Sequence, residues 1–289
     1  MGRLLTDAVD RDALLSWGSD TRRDLPWRRT RDPWAVMVSE MMLQQTQVNR
    51  VIPRYEEFMA RFPDVGSCAA APQAEVVRLW AGLGYNRRAR HLHQSAVVVV
   101  SEHSGLMPSR LDLLLALPGV GPYTARAIQV FAFEYDVGPV DTNVARVLAR
   151  WTGQPLGRAE VQDLADRMVP AGQGWAWTQA LFDLGAGVCT KRAPTCVRCP
   201  VSAGCAWRGE GNDPAEGSAG VSRTQSRFEG SDRQGRGRLM AALRSAPVPT
   251  DEVAVTLGWP DDEPRAAVVV AALIDEGLAV EGEGSYHLA

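Results

Sequence analysis

At 289 residues the chain is long enough for one large or two moderate domains with a sizeable core. No apolar run reaches the ~20 residues of a membrane span, and Met1–Asp7 lacks the apolar centre of a secretory signal, so a cytoplasmic chain with reduced cysteines is expected. The net charge of −3 is unevenly placed: residues 246–289 hold nine acidic residues against one arginine, while residues 1–208 carry a net +4. Arg22, Arg23, Arg28, Arg29 and Arg31 crowd one stretch, and Arg87, Arg88, Arg90, His91 and His93 crowd another. Such runs are usually solvated faces, but two of them leave a phosphate-binding surface open.

Helical periodicity dominates residues 1–208. A first helix is expected over Asp10–Gly18. Asp32-Pro33 reads as an N-cap and first helical position, opening a helix from Trp34 to about Arg54. Further helices are expected over Tyr55–Phe62, Ala74–Leu79, Asn86–Glu102, Arg110–Leu117, Tyr123–Glu134, Asn143–Trp151, Arg158–Met168 and Trp175–Val188. Strand alternation is scarce, so this part is read as all-α. Residues 209–230, rich in Gly, Ser, Asn, Pro and Glu, read as a linker. Helices follow at Ser231–Arg244, Thr250–Leu257 and Glu263–Glu276, and Leu278–Leu288 reads as a glycine-turned β-hairpin. That order resembles a winged helix, a small α+β module.

Three motifs carry chemistry. Leu117-Pro118-Gly119-Val120-Gly121-Pro122-Tyr123 joins two helices, and its glycines permit a tight turn whose free amides could meet an anion at a helix start. No Gly-Lys-Ser/Thr follows, and a helix rather than a strand precedes it, which excludes a nucleotide P-loop and a dinucleotide fold. Asp141 stands just ahead of a helix and, taken alone, is a capping residue. Glu40 is the one acid among Val36, Met37, Val38, Met41, Met42 and Leu43; by itself such a residue belongs on an exposed polar face.

The fourth feature is Cys189-X6-Cys196-X2-Cys199-X5-Cys205. Four thiolates in so short a loop suit one soft metal centre. A zinc ribbon brings two Cys-X2-Cys pairs and only one occurs here; disulfides disagree with the expected compartment. The uneven spacing suits a [4Fe–4S] cubane. Cys68 stands apart and is expected to pack as a small apolar residue.

On these residues the chain resembles the helix-hairpin-helix DNA glycosylases, and within them the adenine glycosylase (MutY) branch. The matching stretches are the cysteine loop, the Gly119-Val120-Gly121 hairpin, Val140-Asp141-Thr142-Asn143, Ser39-Glu40-Met-Met-Leu-Gln-Gln-Thr-Gln47, Leu25-Pro26-Trp27-Arg28, Gly82-Leu83-Gly84-Tyr85 and Asp183-Leu184-Gly185-Ala186. Together they cover about residues 4–208. The resemblance implies a two-lobed fold: a six-helix domain over 27–136, a cluster-bearing helical domain from 1–26 and 137–208, a linker at 209–230 and the winged-helix-like domain at 231–289.

It also implies roles. Glu40 would be the general acid, its apolar setting keeping a proton available for N7 of adenine. Asp141 would steady positive charge at the sugar, oriented by Asn143 and with Tyr123 nearby. Trp27, Arg28, Leu43 and Gln179 would line the base pocket, and Gln45 and Tyr85 would enter the base stack. The amides of Gly119, Val120 and Gly121 would hold a phosphate, with Lys191 and Arg192 of the cluster loop beside DNA. Cys189, Cys196, Cys199 and Cys205 would hold the cluster. Bifunctional relatives such as endonuclease III place a lysine nucleophile where Tyr123 stands, and Lys191 is the single lysine of this chain, so a monofunctional enzyme is implied.

The expected substrate is double-stranded DNA with adenine opposite 8-oxoguanine or guanine, met by a monomer in the nucleoid. The alternatives are another mismatch or oxidised-base glycosylase, or a non-catalytic cluster-bearing DNA-binding protein. Two departures stand out. Asn86 follows Tyr85 where many relatives have a second tyrosine, and residues 231–289 are too short for the Nudix-like domain that usually reads 8-oxoguanine.

Overall fold

The computed structural model describes residues 8–221 and 227–289. Residues 1–7, where the family resemblance begins, and residues 222–226 of the expected linker lie outside the described residues. The helices in chain order are α1 (Ala8–Thr21), α2 (Pro33–Leu43), α3 (Val48–Arg61), α4 (Val65–Ala69), α5 (Gln73–Leu79), α6 (Arg87–Glu102), α7 (Leu111–Ala116), α8 (Pro122–Ala132), α9 (Thr142–Thr152), α10 (Arg158–Met168) and α11 (Gly174–Asp183). After them come α12 (Asp232–Ser245), β1 (Val248–Pro249), α13 (Val253–Leu257), α14 (Glu263–Asp275), β2 (Ala279–Gly282) and β3 (Ser285–Leu288).

The chain forms two compact units. Among the described residues, the first comprises 8–37, 109–116 and 120–221. Its core is built by Leu14 of α1, Val144, Leu148 and Trp151 of α9, Leu164 and Met168 of α10, and Trp177 and Leu181 of α11. Part of the expected linker is folded here. A 3-10 turn at Pro214–Gly217 buries Pro214 and Ala215, and Ala219 N donates to Leu156 O at 2.9 Å.

Among the described residues, the second unit comprises 38–108, 117–119 and 227–289. Phe58 meets Phe62 and Trp80 edge-on, at 5.0 and 6.3 Å between centroids, with Val76, Leu92 and Val99 fully buried. The short α4, absent from the sequence reading, is held by a capping box in which Ser67 N donates to Asp64 Oδ1 at 2.7 Å.

The C-terminal residues of this unit form a winged-helix-like module: helix, strand, two helices and a hairpin. Its antiparallel sheet has the order β1-β3-β2, and Leu239, Leu243, Leu257, Leu273 and Leu278 form its core. The hairpin turns at Glu283-Gly284, both with positive φ (50° and 74°), the geometry that matches strand twist. The two-residue β1 lies just ahead of the stretch read as helix from Thr250, which opens instead with a 3-10 turn.

The helix expected from Trp34 to about Arg54 is interrupted. It ends at Leu43, resumes at Val48, and Gln45 between them has φ +56°. A continuing helix would need Met41 O and Met42 O to accept from the amides of residues 45 and 46. Arg88 of α6 takes both carbonyls instead, at 2.6 and 3.0 Å. A tertiary contact thus overrides the local helical pattern and creates the Gln44–Gln47 turn.

Candidate active site and cysteine loop

Asp141 caps α9, and its Oδ1 accepts from the amides of Asn143 and Val144 at 2.9 and 2.7 Å. Its other oxygen accepts from Asn143 Nδ2 at 3.0 Å. Burial pushes the carboxyl above the ordinary aspartate value, against the pull of these hydrogen bonds and the Arg146 charge. Asn143 is fixed in turn, because Arg146 Nη2 donates to its Oδ1 at 2.9 Å. Arg146 also donates to Gly185 O at 2.7 Å and to Cys189 O at 2.9 Å. A Cβ on Gly185 would sit 2.8 Å from Asn143 Cβ, so only glycine lets this π-helical turn (Leu184–Val188) approach α9 so closely. Tyr123 is half-buried and stacks on Phe182 at 6.4 Å.

One turn further along α9, Arg150 reaches the cysteine loop. Its guanidinium donates to Thr190 O at 2.7 Å, Lys191 O at 3.1 Å and Cys189 Sγ at 3.5 Å, and it pairs with Asp213 at 2.6 Å. Its other face lies over Trp207 at 4.5 Å. Arg146, Arg150, Asp213 and Trp207 escaped the sequence reading. The signal was there in part: two arginines four residues apart share a helix face, on the helix that Asp141 opens.

The four loop cysteines are free and partly buried, and three of them pack against the core of their unit. Burial, with the neighbouring thiolates adding to it, pushes the Cys199 thiol up to about 11. Cys196, Cys189 and Cys205 are the thiolates that act on it. Among the described residues no three His, Cys, Asp or Glu side chains converge as they would on one mononuclear ion. Four thiols with no acid among them are a soft donor set. Lys191 and Arg192 are exposed on the same loop. Cys68 is fully buried and its thiol is pushed up to about 12 by burial, as an inert core residue.

Of the expected pocket residues in this unit, Trp27 is buried in a 3-10 turn (Pro26–Arg28) and Gln179 is buried on α11. Arg28 is committed to a bidentate pair with Asp183, at 2.7 and 3.0 Å, and Arg23 joins the same carboxylate at 2.6 Å. Burial pushes the Asp183 carboxyl up, but Arg28 and Arg23 more than reverse this and hold it below the usual value.

Glu40 lies on a helix buried on all sides, and the carboxyl-bearing residue itself is only 4% exposed. The exposed polar face that a lone acid suggests is therefore not where it sits. Val38, Met41 and Met42 around it are fully buried, and Leu43 is half-buried.

The two residues expected to enter the stack share an unusual backbone. Gln45 is exposed with φ +56°, and Tyr85 is 43% exposed with φ +48°. Neither is glycine, so each conformation costs ~1–3 kcal/mol that surrounding contacts must offset. Arg88 supplies them for both loops. Besides Met41 and Met42 it donates to Thr46 Oγ1 (3.1 Å), Leu83 O (3.2 Å) and Gly84 O (3.0 Å). Burial lowers its value to about 10, which leaves it charged at neutral pH.

At the hairpin, Gly119 has φ +75°, and a Cβ there would strike His91 at 2.7 Å. Gly121 caps α8 with Pro122 at its first turn, and Val120 is buried beside it. This is the turn geometry that leaves helix-start amides available to an anion.

Residues 38–168 match the family described as HhH-GPD superfamily base excision DNA repair protein. The adenine DNA glycosylase of Mycolicibacterium smegmatis is 41% identical over 282 residues, 96% of this chain and 94% of that protein. Such coverage takes in most of residues 231–289, so the short C-terminal module is shared with that relative. The adenine DNA glycosylase of Homo sapiens is 44% identical over 213 residues, 68% of this chain but only 39% of that protein. Among solved structures, a thermostable thymine-DNA glycosylase superposes with a TM-score of 0.64 at 30% identity, covering 69% of this chain and 94% of that one. The chain belongs to the adenine DNA glycosylase family of the HhH-GPD superfamily.

Proposed function

We propose that the protein is a monofunctional DNA glycosylase that excises adenine mispaired with 8-oxoguanine or guanine in double-stranded DNA. Adenine is a poor leaving group as an anion, so a proton on N7 must come from an acid; Glu40 supplies it. As the glycosidic bond breaks, positive charge grows on C1′ and the Asp141 carboxylate stabilises it. Water completes the hydrolysis. Asn143 holds the Asp141 carboxylate, Tyr123 assists near the sugar, and Trp27, Arg28, Leu43 and Gln179 line the base pocket. Gln45 and Tyr85 fill the space that the flipped adenine leaves in the stack, while the Gly119–Gly121 amides and the Lys191–Arg192 stretch grip phosphates.

The observation that carries this reading is Glu40: a residue 4% exposed on a helix whose other members, Ser39 aside, are apolar, in a chain 41% identical to an adenine DNA glycosylase. A plain DNA-binding protein has no use for an acid there. The donor set and the loop held by Arg146 and Arg150 fit a [4Fe–4S] cluster on Cys189, Cys196, Cys199 and Cys205. The cluster would fix the shape of the loop that carries Lys191 and Arg192. The protein is read as a monomer that works at the nucleoid; no helix among the described residues is long and apolar enough to cross a membrane.

The test is a single-turnover assay on duplexes carrying adenine opposite 8-oxoguanine, guanine, cytosine or thymine. Adenine release from the first two and little from the others is expected. Release of a different base, or none from any duplex, would contradict the proposal.

A further inference from the structure

The C-terminal module meets the rest of its unit through polar contacts, and these converge on the loop that carries Tyr85. Arg244, near the end of α12, donates through Nε to Val77 O at 3.2 Å and through Nη2 to Asn86 Oδ1. Gln73 Nε2 donates to Gly277 O at 2.8 Å. Arg90 runs so close to Gly277 that a Cβ there would meet its Nε at 2.9 Å. Gln73 and Val77 precede the loop on α5, while Asn86 and Arg90 follow it at the start of α6. The module therefore clasps both ends of the Trp80–Tyr85 segment.

Asn86 is the revealing residue. It follows Tyr85 directly and occupies the N-cap of α6, yet its side chain makes no cap bond. An asparagine there ordinarily satisfies a first-turn amide; here that oxygen is given to Arg244. Next to it Gly84 and Tyr85 are both left-handed, φ +73° and +48°, a conformation that a tyrosine rarely adopts. Arg88 holds this loop from within, as described above, and Arg244 holds it from the module.

We propose that the C-terminal module braces the Tyr85 loop, and that Arg244 is its positioning residue: by anchoring Asn86 it keeps Tyr85 presented for entry into the duplex. This rests on the reading of Tyr85 as a stack-entering residue. Without Arg244, the Asn86 side chain is released to cap α6 and the backbone of Tyr85 relaxes towards an ordinary conformation. The brace also accounts for the charge of the module. With ten acidic residues against five arginines over residues 231–289, the module carries a net negative charge that phosphate repels, but it need touch no phosphate to act through Asn86.

The experiment uses the full chain with its cofactor and compares four proteins: wild type, Arg244→Ala, Tyr85→Ala and the double variant. Each is assayed for single-turnover release of adenine opposite 8-oxoguanine at saturating enzyme, with a thermal melt beside it. Arg244→Ala should slow release by roughly tenfold, the fold-change equivalent of one charge-assisted hydrogen bond. In the Tyr85→Ala background it should slow release no further, although the melt falls equally in both. If Arg244→Ala does not fold, Arg244→Lys carries the same comparison, because a point-like ammonium cannot span two separate acceptors. An equal slowing in both backgrounds, or none with Tyr85 intact, overturns the brace. Full-rate release by Tyr85→Ala would instead remove the reading of Tyr85 on which the brace stands, and the brace with it.

Discussion

Replacing Arg88 with Met removes one guanidinium and five hydrogen bonds while keeping most of the apolar stem. Its partners are Met41 O, Met42 O, Thr46 Oγ1, Leu83 O and Gly84 O, at 2.6 to 3.2 Å. The carbonyls of Met41 and Met42 belong to fully buried residues at the end of α2 and have no route to water. Leaving each unsatisfied costs ~1–3 kcal/mol, or about 2–6 kcal/mol for the two. Of the other acceptors, Thr46 Oγ1 and Gly84 O lie nearer the surface and can turn to solvent, while Leu83 O belongs to a residue 3% exposed and only adds to the cost. At ~2–4 °C per kcal/mol for a domain of a few hundred residues, the melting temperature should fall by at least ~4 °C. The second consequence is local. With Arg88 gone, the left-handed backbones of Gln45 and Tyr85 lose the support they share, so adenine release should slow even well below the melt. The assay pairs a thermal melt with single-turnover release at low temperature. A melt within ~2 °C of wild type together with an unchanged rate would refute the reasoning.

Three further outcomes are expected. Asp141 must be ionised to act and burial raises its value, so as pH falls the single-turnover rate should begin to drop above the ordinary aspartate value of 3.8; a rate that holds until below that value would contradict the assignment. Cys199→Ser should lose the broad visible absorption of an iron–sulfur cluster and most DNA affinity together; cluster-free protein that binds duplex tightly would show that the loop needs no cluster. Borohydride should trap little covalent complex with the wild type, because Tyr123 stands where a lysine nucleophile would be, and Tyr123→Lys should increase trapping; efficient wild-type trapping that tracks adenine release would overturn monofunctional action.

Much of the fold was legible because the helices are amphipathic and punctuated. α6, α9, α10 and α14 lie within a residue or two of their expected bounds, and the terminal hairpin declared itself through its glycine turn. The break after Leu43 was not legible, since its cause is Arg88, more than forty residues along the chain. Glu40 shows the same limit: a lone acid among apolar residues reads as a surface position, and only packing reveals that the whole helix is enclosed. α4 was hidden because five residues carry no periodicity, although Asp64 and Ser67 spell its capping box. The motif residues were legible individually, but Arg146 and Arg150, which tie Asp141 and Asn143 to the cysteine loop, became visible only with the fold. So did the attachment of the C-terminal module through Arg244, Gln73 and Arg90.

The account stands most directly on the two carboxyl groups. Glu40→Gln and Asp141→Asn each keep the shape of the side chain and remove its acid–base or charge function. Single-turnover release of adenine opposite 8-oxoguanine should fall by ~10²–10⁴-fold in each, with duplex binding largely retained. A near-normal release rate in either variant would contradict the proposed chemistry.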